Sequence, residues 1–284
     1  MENSWSKSYS IRKIKEKVFL SAVCICAGLA VMPLLALLGY VFLRGFSSLN
    51  LDFFTHLPIP VGETGGGMAN AIVGTFMIVG LASLISLPIG LMGGLWLAEW
   101  GNGKRGFIIR YAVDVMSGFP TIVFGIFSYI LIVLTMKRFS ALAGGFALAL
   151  VMLPYITKTT EEMIKMVPRT LKESALALGV PEWKVMLFVV LRTAWNGIFT
   201  GIMLAVARAA GETAPLLFTA FNNQYWNFWP DQPTASMTVQ IYNYAISPFD
   251  EWNKLAWAGS LTLVLIILLI TIIVRRCSKR ICYG

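Results

Sequence analysis

Apolar runs too long for any small soluble core dominate this 284-residue sequence. Inside a bilayer the backbone has no water to bond to. A run of about 20 apolar residues coiled into a helix satisfies its own hydrogen bonds and crosses a hydrocarbon layer about 30 Å thick. Six stretches are candidates for such spans: Val18 to Leu43, Ala69 to Leu97, Phe107 to Leu134, Ser140 to Tyr155, Val185 to Ala210 and Leu255 to Val274. The fourth is short unless it runs on past Pro154. Composition agrees, since only 13% of residues are charged against about 25% in an ordinary soluble domain. A soluble globular protein is excluded. The sequence predicts one all-α membrane domain over residues 18–274, with a short N-terminal segment (1–17) and a basic tail (275–284) on the cytoplasmic side.

A net charge of +9 would fit nucleic acid, but the lysines and arginines lie in short clusters between apolar runs, as membrane orientation requires. Arg12, Lys13, Lys15 and Lys17 precede the first span, and Lys104, Arg105 and Arg110 follow the second. Lys158, Lys165, Arg169, Lys172 and Lys184 lie between the fourth and fifth spans, and Arg275, Arg276, Lys279 and Arg280 end the chain. With six spans all these groups share one side. The other side carries Arg44, Lys137, Arg138 and Lys254 against Asp52, Glu63, Asp231, Asp250 and Glu251. Both termini are therefore expected in the cytoplasm, with Lys137 and Arg138 as a local exception. The first run is too long for a signal peptide and lacks a small-x-small cleavage pattern, so it reads as a retained span. Cys24, Cys26, Cys277 and Cys282 form no metal or redox spacing, His56 has no ligand partners, and no metal or cofactor is predicted.

The outer stretch from Phe218 to Trp252 is rich in aromatics, among them Tyr225, Trp226, Phe228, Trp229, Tyr242, Tyr244, Phe249 and Trp252. An interfacial belt and a docking surface for an external partner both fit it. At membrane depth, Arg208 and Glu212 stand four residues apart near the end of the fifth span. Ionisable groups there face each other or a cavity, so a structural ion pair and an anion path remain the two readings. Arg110 and Asp114 repeat the spacing nearer the cytoplasmic edge, where a structural role fits better. Pro88 and Pro120 lie within spans and should kink them.

Between Val167 and Val190 the chain reads VPRTLKESALALGVPEWKVMLFVV. Thr170 and Glu173 have capping-box spacing, Leu171 to Leu178 has helical periodicity, Gly179 suits a left-handed C′ position, and Pro181 suits the first turn of the next helix. The pattern specifies a helix, a sharp turn and a helix. Leu171, Ala175, Leu176 and Leu178 give the short cytoplasmic helix an apolar face that something should cover.

Glu173, Ser174 and Ala175, then Gly179, then Val189, Val190 and Leu191 resemble the EAA signature of ABC-importer permeases. Ser174 stands in place of alanine, Val189 of isoleucine and Arg192 of proline. Further stretches are similar to the phosphate permeases of that family, PstA: TGGGMANAIVGT (Thr64 to Thr75), GLWLAEWG (Gly94 to Gly101), TTEEMIKMVP (Thr159 to Pro168), ARAAGETAPLLFTA (Ala207 to Ala220) and SPFDEWNKLAWAG (Ser247 to Gly259). The resemblance covers nearly the whole chain. It implies a type I ABC-importer permease fold, MetI-like, in a bacterial inner membrane, with an EAA-type coupling loop at about 165–192. It also implies that the helix carrying Thr170, Glu173 and Ala175 and ending at Gly179 seats on an ATPase. The implied partners are a PstC-type second permease, a PstB-type ATPase dimer and a PstS-type external phosphate-binding protein. The chain contains no G-x-x-x-x-G-K-[ST] loop and so is not expected to hydrolyse ATP itself. An ion-coupled secondary transporter using Arg208 and Glu212, and an ABC permease for sulfate, molybdate or arsenate, stand as alternatives.

Overall fold

The computed structural model describes residues 2–60, 63 and 65–281; Thr64 of the first quoted stretch, and Cys282 to Gly284 of the tail, lie outside the described residues. All regular structure among the described residues is helical. In chain order the helices are α1 (Glu2–Phe46), α2 (Leu51–Thr55), α3 (Ala69–Glu99), α4 (Lys104–Gly118), α5 (Thr121–Met136), α6 (Ala141–Lys165), α7 (Arg169–Ala177), α8 (Glu182–Ala210), α9 (Ala214–Leu217), α10 (Met237–Ala245) and α11 (Asp250–Ile281). Five of these, α1, α3, α6, α8 and α11, are long and apolar enough to cross a membrane, and α4 with α5 makes a sixth if a bent pair counts as one span.

The third span differs from the expected continuous helix Phe107 to Leu134: its two halves meet at 102°. Pro120 fixes its own φ near −57° and its ring drives the preceding residue out of the helical region, so Phe119 (ψ 140°) and Pro120 (ψ 132°) are both extended. Two extended residues in succession stop one helix and start another. By contrast Pro88 and Pro154 lie inside the uninterrupted helices α3 and α6. The fourth span accordingly runs past Pro154 to Lys165.

Packing centres on α6, which lies between α3 and α8. Ile78 and Ala82 of α3, Leu148, Met152 and Ile156 of α6, and Ile198 and Ile202 of α8 form one buried cluster. Small residues set the close approach: a Cβ on Gly94 would lie 2.5 Å from Cβ of Thr160. A second cluster joins Phe53, Met68, Met237, Tyr244 and Ala258. Helix α1 packs mainly on α11, with Tyr40 edge-on to Trp257 at 5.2 Å, and between Arg12 and Phe46 most of its residues are exposed.

The loop before α10 is built rather than slack. Asn227 Nδ2 donates to Pro233 O at 3.1 Å and to Thr234 Oγ1 at 2.8 Å, and Arg138 pairs with Asp231 at 2.6 Å. That pair neutralises half of the basic exception noted at positions 137 and 138. The aromatics divide: Tyr225, Trp226, Phe228 and Trp229 are exposed, whereas Tyr244 is buried and stacks on Trp252 at 4.8 Å.

Candidate coupling surface and anion site

Helix α7 projects from the end of the molecule where α3 and α6 finish and α8 begins, and none of its residues is buried. Its C-terminus closes as the sequence predicts. Gly179 has φ +78°, its N–H donates to Leu176 O at 2.9 Å, and Val180 N–H donates to Ala175 O at 3.4 Å, the paired bonds of a Schellman turn. Ala175 and Val180 both pack against the core cluster, while Leu171, Leu176 and Leu178 stay exposed.

The N-terminus corrects the capping-box expectation. The cap residue is Pro168 (ψ 130°), no side chain caps the helix, and Thr170 lies inside the first turn with its carbonyl accepting from Ser174 Oγ at 2.7 Å. Proline already holds an extended conformation and starts the helix ahead of Thr170, so the threonine has helical backbone and its hydroxyl is not at the cap position. Pro181 likewise occupies the cap position just before α8 rather than its first turn. Beyond it, residues 185–190 form a π-helical stretch on which α7 packs.

A charged layer, which sequence spacing did not reveal, fastens this end together. Arg110 Nε donates to Glu161 Oε1 at 2.6 Å, and its other nitrogens donate to Leu97 O (2.8 Å) and Gly101 O (2.9 Å), closing the C-terminus of α3. Lys165 also pairs with Glu161, and Lys158 pairs with Asp114 at 2.6 Å. Arg110 and Asp114 therefore bond to α6 rather than to each other. Lys172 of α7 pairs with Glu99 at the end of α3 and reaches Glu182 at 3.9 Å. Glu99, Lys165 and Lys172 border a cleft of about 370 Å³ that is also lined by Asn102, Arg169 and Glu173.

At the opposite end of α8, roughly 40 Å away at 1.5 Å per residue, Arg208 and Glu212 are brought together loosely. Their closest atoms are 3.7 Å apart, beyond hydrogen-bond distance, and Arg208 is 47% exposed. The guanidinium lies 4.5 Å over the ring of Tyr155, beside Pro154 of α6, and Glu212 is held through its carbonyl by Thr238 Oγ1 at 3.0 Å. A structural pair in this molecule looks different: Glu161 is 9% exposed and bonded at 2.6 Å. Arg208 keeps N–H donors free of any hydrogen bond to Glu212, on a platform that fixes the plane of its fork. Tyr155 carried no signal in the sequence, since it lies over fifty positions from Arg208.

Long apolar helices packed together, with one short helix projecting beside the start of a span, define a multi-pass membrane protein. Residues 90–282 match the model of a family described as "Binding-protein-dependent transport system inner membrane component". The chain is 40% identical over 97% of its length, and 98% of the relative's, to the "Phosphate transport system permease protein PstA" of Haemophilus influenzae. It is 43% identical to the protein so named from Yersinia pestis (82% of this chain, 79% of that one), and 36% identical to the "Probable phosphate transport system permease protein PstA" of Methanocaldococcus jannaschii (96% and 97%). Among solved structures it is similar in fold to one titled "Inward facing conformations of the MetNI methionine ABC transporter", with TM-score 0.63 and 16% identity, over 75% of this chain and 97% of that one. The chain belongs to the PstA family of binding-protein-dependent transport permeases.

Proposed function

We propose that this chain is the membrane-spanning permease subunit of an ATP-binding-cassette importer that carries inorganic phosphate inward through the bacterial cytoplasmic (inner) membrane. The observation that carries this reading is the nearly end-to-end match with relatives named as phosphate transport permeases. Moving a dianion inward against about 150 mV costs about 7 kcal/mol before any concentration gradient. A separate ATPase supplies that work, and an external binding protein delivers the anion. In the finer reading the ATPase is a PstB-type dimer seated on α7, with Thr170, Glu173, Ala175 and Gly179 in or beside the contact. The second permease is PstC-type and the binding protein PstS-type. The N-terminal segment and the basic tail then lie in the cytoplasm with α7.

Arg208 is the anion contact and Glu212 tunes it. The loose geometry of the pair and the exposure of Arg208 support this role. So does the face of α8 on which it lies. Thr193, Thr200, Leu204 and Arg208 are exposed along one side of α8, a mixed face with two hydroxyls and a guanidinium, whereas the residues that α3 exposes include Phe76, Leu84 and Met92, and those of α11 include Leu265 and Leu268. Apolar faces suit lipid, and a face ending in a guanidinium suits water and a second permease.

The test is reconstitution. The chain is copurified with its partners from mild detergent and placed in liposomes with the binding protein on one side and ATP on the other. Radiolabelled phosphate should accumulate only with ATP. Accumulation without ATP but with an ion gradient would favour a secondary transporter, and preference for sulfate, molybdate or arsenate would reassign the substrate.

A further inference from the structure

Helix α7 buries none of its residues, so something other than a core must fix its direction relative to the spans. Its main contact is with the π-helical start of α8, and Ala175 packs against the core cluster. One charged side chain ties it to the rest. Lys172 lies among three elements: it pairs with Glu99 at the last residue of α3, and its ammonium is 3.9 Å from Glu182 at the first residue of α8. Both Lys172 (25% exposed) and Glu99 (16%) are largely withdrawn from solvent, unlike Glu182 (58%). A pair so shielded is screened less by salt than a surface pair and holds a more definite geometry. Glu99 is in turn near the carbonyls of Leu97 and Gly101 that Arg110 grips, and Arg110 is bonded to Glu161 of α6.

We infer that Lys172 is a positioning residue for transport: its pair with Glu99 is the pin through which displacement of α7 is passed to α3 and, by way of Arg110, to α4 and α6. The inference rests on the reading of α7 as the ATPase seat. Without the pin α7 still presents its exposed residues to the ATPase, because those residues are not in the pair. What is lost is the fixed angle between α7 and the spans. ATP hydrolysis should then continue while transport per ATP falls.

The experiment measures phosphate uptake and ATP hydrolysis in the same proteoliposomes containing the full complex. Lys172→Met and Glu99→Gln should each lower the phosphate-to-ATP ratio by at least about fivefold, the low end of coupling between two sites, with the KM for phosphate unchanged. Lys172→Arg keeps the charge and should keep most of the ratio. Glu182→Gln, which removes only the longer contact, should leave it near wild type. The exchanged pair, Lys172→Glu with Glu99→Lys, should recover part of the loss. Glu99→Gln lies outside α7, so it decides the matter should Lys172→Met fail to assemble with the ATPase. A wild-type ratio in Glu99→Gln overturns the inference while leaving the transport reading intact. A wild-type complex that hydrolyses ATP without moving phosphate overturns the reading itself.

Discussion

Arg110 and Glu161 meet at 2.6 Å, joining α4 to α6 at the point where the same guanidinium closes the last carbonyls of α3. Glu161 is nearly buried and its charge is balanced by Arg110 and Lys165. Removing one partner of a buried pair typically costs about 3–5 kcal/mol, because the other charge is left uncompensated. Lys165 remains in Arg110→Leu, so the loss should lie toward the lower figure. A reduced Tm in detergent and a lower membrane level are expected, and adding Glu161→Gln should restore part of both. An unchanged Tm would show that the cluster does not hold this end together.

Gly179 makes a second prediction at the turn beyond α7. A side chain at φ +78° is strained by about 1–2 kcal/mol in an L-residue, and a β-branched one is the least tolerated. Space is not the obstacle, since an added Cβ would meet nothing within 4 Å. Gly179→Val should therefore misdirect α7 with little effect on the spans, so that uptake falls while membrane level stays near normal. Gly179→Asn, which accepts the left-handed region more readily, should be milder. Undiminished uptake and ATP hydrolysis in Gly179→Val would count against the docking role of α7.

These two sites also show what a sequence does and does not disclose. Gly179 was legible because a turn is a local event, set by neighbours within a few residues. The spans were legible because lipid imposes one length and one composition wherever the helix sits. The Arg110–Glu161 bond was not, because it joins residues 51 positions apart and depends on how α4 leans on α6. The right-angle break before Pro120 was visible as a proline but not in its extent, which follows from Phe119 and Pro120 both being extended. Thr170 shows the opposite error: the spacing of a capping box was present, and Pro168 ended the question two residues earlier. Arg208 and Glu212 stood out in the sequence as charges beside a long apolar run, while the Tyr155 ring beneath Arg208 needed the fold.

Topology gives a third prediction, resting on the basic clusters and on the pairing of Lys158, Lys165 and Lys172 with Asp114, Glu161 and Glu99 at one end. A reporter inserted within Gly101 to Gly106, or fused after Gly284, should read as cytoplasmic, and one near Gln232 as external. A cytoplasmic signal at Gln232 would remove the six-span arrangement.

The central claim is that Arg208 meets phosphate on its way through the membrane. If Arg208 and Glu212 were only a structural pair, Arg208→Gln would lower the amount of folded protein, and the neutral double variant with Glu212→Gln would recover both level and transport. A contact residue behaves otherwise, because its charge replaces hydration that the anion loses. Arg208→Lys keeps the charge without the planar fork, so it should retain partial activity. The deciding measurement is the initial rate of ATP-dependent phosphate uptake per copy of membrane-inserted protein. The account predicts that Arg208→Gln abolishes it at normal protein level and that Glu212→Gln does not restore it, whereas full recovery in the double variant, or undiminished uptake in Arg208→Gln, would contradict it.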